Sequence, residues 1–141
     1  MTPAESLLGI LSQERPIPPA QLQAALSAFV SGHRHIPSML SIANRYDQIR
    51  FLSVLRGHRM TDTGKPITDD RRHSLTCYLF GGTSVKSLCL AQIEALILWL
   101  SHPLSVTHAA AEIGLILAAA KTVNRDRPIL VSAQLDLFTG G

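Results

Sequence analysis

The sequence predicts an all-α fold: a compact bundle of five or six helices in one domain, followed by an extended tail. Three observations carry that prediction. Apolar residues fill 46% of the 141 positions while aromatics fill only 5%, so the core is aliphatic, a composition that suits helices better than a β-sandwich. The apolar residues recur at three- and four-residue intervals, the helical signature. Proline and glycine punctuate the ends of the periodic stretches. The length suits a single domain with a real core.

The elements follow in order. "PAESLLGILSQ" opens a first helix with Pro3 at N1 and Glu5 in the first turn. "RPIPPAQ" ends it, because Pro16, Pro18 and Pro19 cannot continue a helix. A second helix runs over "PAQLQAALSAFVSG": Leu22, Ala25, Leu26, Phe29 and Val30 share a face and Gly32 closes it. A third is expected from about Pro37 to Leu55, with Met39, Ile42, Ala43, Tyr46, Ile49 and Leu52 or Ser53 tracing its buried face. "GHRMTDTGKPITDD" reads as an exposed loop or short hairpin. A capped helix then starts at Thr68, with Asp69 and Asp70 at the positive end of the dipole and Gly81 as its C-cap. "LAQIEALILWLSH" and "SVTHAAAEIGLILAAAK" give two more helices on either side of Pro103. "NRDRP" breaks the pattern, and "ILV" suggests a short strand or extended segment. The helical domain is therefore assigned to residues 1–128 and the tail to 129–141.

Thirteen Lys and Arg against ten Asp and Glu give a formal charge of +3, too mild by itself to imply a polyanion partner. The distribution says more, because the basic residues concentrate between Arg34 and Arg72 and most are Arg, the side chain suited to bidentate phosphate contact. Arg45, Arg56, Arg59, Lys65, Arg71 and Arg72 are the candidate DNA-backbone contacts. The plain alternative is a solvated helix face. Aromatics are few in this region, so phosphate-led, sequence-tolerant contact is expected rather than base stacking.

Two cysteines, Cys77 and Cys89, make no disulfide framework, and "MTPAESLLGIL" has an early Glu and no basic leader region. A cytoplasmic protein is expected, nucleoid-associated if it binds DNA. The apolar region Leu88–Ala120 is interrupted by Glu94, His102, Pro103, His108 and Glu112, so it predicts a buried helix pair and no membrane partner. Its apolar density would suit a homodimer interface as well as a core.

The tail carries the most specific signal. Gln134, Leu135, Asp136, Leu137 and Phe138 form "QLDLF". This segment resembles the pentapeptide by which bacterial polymerases, repair proteins and replication regulators dock on the sliding clamp; all five positions match that pattern. The resemblance covers these five residues and says nothing about the rest of the chain. It implies that Gln134 hydrogen-bonds in a small polar site while Leu137 and Phe138 fill an apolar pocket. Burying two such side chains contributes roughly 3–6 kcal/mol before ordering costs, consistent with micromolar-class binding. The alternative is that "ILVSAQLDLF" packs on the protein's own core.

A second resemblance lies in residues 78–100. Phe80, Gly81, Ser84, Lys86, Leu88, Gln92, Leu96 and Ile97 are similar to a pattern in helical modules of phage and bacterial recombination proteins. Cys89 departs from it, standing where a capping Ser or Thr is expected.

Other chemistry is weakly signalled. "GGTSVKS" and "TGKP" lack the spacing of a phosphate-binding loop. His33, His35, Cys77 and Cys89 lack paired zinc spacing, so no metal and no cofactor are expected. Asp69, Asp70 and His73 share a helical turn, but acids in a first turn are what the dipole selects. No catalytic residues are assigned. The sequence thus points to a non-enzymatic accessory or regulatory factor of DNA replication, repair or recombination that docks on the clamp. The alternatives are a phage- or toxin-type inhibitor that occupies the clamp, and a helical oligomerisation module with a self-packed tail.

Overall fold

The computed structural model describes residues 2–82, 84–103 and 106–122. Helix α1 (Pro3–Leu11) begins as expected, with Thr2 Oγ1 accepting from the Glu5 amide at 3.1 Å and proline in its first turn. Helix α2 (Pro19–Gly32) follows the proline-rich connection and buries Leu22, Ala25, Leu26 and Phe29, the predicted face. The two helices form a tight pair. An ideal Cβ on Gly32 would lie 2.3 Å from Pro3 Cγ, so the absence of a side chain there permits the approach.

The third helix is not continuous. Helix α3 is only Pro37–Leu40, and α4 spans Arg45–Arg56. Two local interactions break the expected run. Asn44 caps α4, its Oδ1 accepting from the Asp47 amide at 2.9 Å, and an N-cap residue needs non-helical backbone. The chain at Ser41–Ala43 is extended instead, making a single antiparallel bridge between Ile42 and Cys89. Ala43 N–H donates to Leu88 O at 2.9 Å and Leu90 N–H donates to Ser41 O at 3.0 Å. The predicted buried face fails as a result. Ile42 is 70% exposed, Tyr46 71% and Ile49 53%, while Phe51, Leu55 and Ala43 are buried.

Residues 57–68 form a compact loop. Met60 and Lys65 close it through a 2.9 Å backbone hydrogen bond, Gly64 turns it with φ of 68°, and Met60 and Ile67 anchor it in the core. Helix α5 (Asp69–Phe80) starts at the predicted cap, the Arg71 amide donating to Thr68 Oγ1 at 3.3 Å, and ends at Gly81 with φ of 79°. A short 3-10 turn, Val85–Ser87, leads into α6 (Leu90–Ser101). Cys89 is the N-cap of α6, with its amide donating to Gln92 Oε1 at 2.9 Å. Helix α7 covers 109–122.

The architecture is an all-α bundle organised around α6. That helix buries Ala91, Ile93, Ala95, Leu96, Trp99 and Leu100, and it packs against α2, α3 and α4. Such nearly all-round burial explains its apolar sequence. Ala109, Ile113, Ile116 and Ala120 of α7 are also buried. Leu88–Ala120 therefore contributes to the protein's own core. Among the described residues no strand occurs, and no helix is long and apolar enough to cross a membrane. The expected strand at "ILV" and the extended tail lie outside the described residues.

Candidate functional site

The clamp-docking residues Gln134, Leu135, Asp136, Leu137 and Phe138 lie outside the described residues, so the site that can be built is the basic surface. Its six predicted members do not form one patch. Arg45 is the first residue of α4 and Arg56 the last, placing their backbones about 17 Å apart along the helix. Arg59 and Lys65 belong to the loop that follows α4. Arg56, Arg59 and Lys65 are exposed, as is Arg45 at the far end. None of the four makes an ion pair among the described residues.

Arg71 and Arg72 are differently placed. Arg71 grips Asp62 with both guanidinium nitrogens, NH1 to Oδ1 at 3.0 Å and NH2 to Oδ2 at 2.7 Å. This fork-to-fork contact ties the loop to the first turn of α5. The hydrogen bond from Arg71 holds the Asp62 carboxyl below its ordinary value, and Asp62 in turn raises Arg71. Arg72 donates to Asp69 Oδ1 at 2.9 Å and its side chain is only 15% exposed. Its Nε is buried with no hydrogen-bond partner among the described residues. Both arginines thus direct their charge to acids of the same α5 end. Asp69, Arg72 and His73 form a chain of contacts there, with Arg72 NH2 3.3 Å from His73 Nε2.

Two carboxylates singled out in the sequence only as interruptions have defined roles. Arg50 NH1 bridges Asp47 at 3.1 Å and Glu94 at 3.2 Å, linking α4 to α6. Its guanidinium also lies 6.0 Å from the Tyr46 ring centre. Those hydrogen bonds, that to Glu94 foremost, raise Arg50 above its ordinary value. Glu112 is 1% exposed and accepts from Ile17 N–H at 2.8 Å and from Trp99 Nε1–H at 3.0 Å. Burial pushes its carboxyl above the usual glutamate value, while the two hydrogen bonds and nearby His108 act against the shift. The signal for both was available: an acid inside an otherwise apolar helix needs a partner.

The geometry separates surface cations from structural ones. Arg56, Arg59 and Lys65 form an exposed basic edge at the C-terminal end of α4, next to a loop whose shape is fixed by Asp62–Arg71. Among the described residues, no group of three or more His, Cys, Asp or Glu is arranged to hold a metal ion. No family model, no curated protein and no solved structure matches this chain.

Proposed function

We propose that this protein is an accessory factor of DNA replication, repair or recombination that docks on a bacterial sliding clamp through residues 134–138. The observation that carries the reading is the five-position match of "QLDLF" to the clamp-docking pentapeptide. A segment of this kind binds extended, with separate side chains reaching separate subsites. Arg56, Arg59 and Lys65 support the second half of the reading, contact with the DNA backbone. They are exposed and keep their charge available for phosphate. Arg71 and Arg72 shape that edge more than they extend it, since each already engages a carboxylate. The clamp encircles DNA, so weak contacts at the tail and at the body reinforce each other through effective concentration. The reading includes no catalytic step and places the protein in the cytoplasm, at the nucleoid.

The test is a titration of a labelled peptide spanning residues 132–141 with purified bacterial clamp, beside the same peptide carrying Leu137→Ala and Phe138→Ala. Micromolar binding that disappears in the double variant is the expected result. No binding by the native peptide removes the reading. Binding by the peptide together with growth arrest on overproduction, and no DNA affinity in the body, favours an inhibitor of the clamp instead.

A further inference from the structure

Two grooves flank the end of α7. The larger, about 1030 Å³, runs between α2 and α5 and includes Gln23, Ser27, Val30, Cys77, Tyr78 and Phe80, with Ala120 of α7 at its wall. Gln23 fixes its floor by donating from Nε2 to Tyr78 O at 2.6 Å. The smaller, about 690 Å³, lies between α7 and the start of α5 and carries Asp62, Asp70, Arg71 and Lys121. The larger groove differs in kind: its described lining holds no Asp, Glu, Lys or Arg, only hydroxyls, amides, apolar side chains and His73.

The described chain reaches Thr122, two positions past Ala120. Residues 123–133 span up to about 36 Å when extended, enough to carry the following segment along the groove. That segment, Gln134–Phe138, alternates amide and apolar side chains, and its single charge is Asp136. The uncharged groove with a histidine at its edge matches this composition, whereas the smaller groove with four charged side chains does not. We propose that residues 134–138 rest in the α2–α5 groove when no clamp is present, so that the body masks its own docking peptide. The masking role rests on the clamp reading above, but occupation of the groove does not.

Cys77 supplies the probe because it lines the groove. In full-length protein carrying Cys89→Ser it is the sole thiol, and serine retains a side chain suited to the N-cap position. The rate of Cys77 alkylation by iodoacetamide is compared with that of the same chain carrying Leu137→Asp and Phe138→Asp. A groove occupied nine-tenths of the time slows alkylation about tenfold, so the tail variant reacts about tenfold faster. Equal rates overturn the proposal. In parallel, clamp affinity is measured for the 132–141 peptide, the full-length chain and full-length Ser27→Arg. Ser27 is an exposed residue of the groove wall, so arginine there obstructs the groove without entering the core. The intact chain binds about tenfold more weakly than the peptide, and Ser27→Arg restores peptide-like affinity. Clamp binding with unprotected Cys77 overturns masking alone. A protected Cys77 with no clamp binding by the peptide overturns the clamp reading alone.

Discussion

Glu112 and Trp99 meet inside the bundle, the indole Nε1–H donating to Oε1 at 3.0 Å. The other carboxylate oxygen receives the Ile17 amide at 2.8 Å. One side chain of α7 thereby satisfies a donor from α6 and a donor from the loop between α1 and α2. Replacing Glu112 by Gln keeps one acceptor and adds an N–H, so one buried donor loses its partner. The expected cost is about 1–3 kcal/mol, read from urea denaturation.

The same residue makes stability depend on pH. Burial raises the folded-state value of Glu112 above the unfolded one, so the folded chain holds that proton more tightly. Its contribution is fully present below the ordinary glutamate range and is lost as pH rises through the folded value. The stability difference between wild type and Glu112→Gln should therefore be larger at about pH 4 than at about pH 7. A difference that grows in the opposite direction would contradict the buried carboxylate.

Two glycines in helices should respond oppositely to alanine. Gly9 has open space around its missing Cβ, whereas at Gly32 that atom would meet Pro3 at 2.3 and 2.8 Å. Gly9→Ala is expected to stabilise by about 0.5–1 kcal/mol through helix propensity. Gly32→Ala is expected to destabilise by about 1–3 kcal/mol, because the proline ring must move. Thermal unfolding of the two variants decides the matter.

The orientation of α4 is testable by truncation. Phe51 is fully buried and Tyr46 is 71% exposed. Phe51→Ala should cost about 3–5 kcal/mol, and Tyr46→Ala should stay within about 0.5 kcal/mol of wild type. Comparable losses would mean that Tyr46 faces the core, as the apolar period of residues 37–55 suggests.

The loop latch gives a prediction about charge. Asp62→Asn removes the carboxylate that Arg71 grips and leaves its guanidinium available to phosphate. Duplex DNA affinity at low salt should rise. Conversely, the joint replacement of Arg56, Arg59 and Lys65 by Ala should reduce the salt slope of binding by about 1 for each phosphate no longer neutralised. An unchanged slope would place the DNA-binding surface elsewhere.

Much of the bundle was legible because it is written locally. Thr2 and Thr68 cap helices through hydroxyls, Gly81 ends α5 in the left-handed region, and α2 buries the periodic face read from its sequence. Residues 37–55 were not legible, because a long-range bridge to Cys89 and the Asn44 cap override a helical period. Periodicity finds apolar residues at the right spacing but cannot tell that Ile42, Tyr46 and Ile49 lack a neighbour to bury them. The candidate site was half legible. Sequence supplies the cations, but only the fold shows that Arg71 and Arg72 are already engaged by Asp62 and Asp69.

The hydrogen bond from Ile17 to Glu112 also has a temporal consequence. It joins positions 95 apart in sequence, so loop closure over most of the chain must precede it. During synthesis the chain emerges at about 5–20 residues per second, N-terminal segments first. The α1–α2 hairpin can form early, but the Ile17 amide must wait for residue 112 before it reaches its native acceptor. Until then the nascent chain presents the proline-rich turn and the underside of α2 uncovered, and the last helix to be made is the one that seals the first.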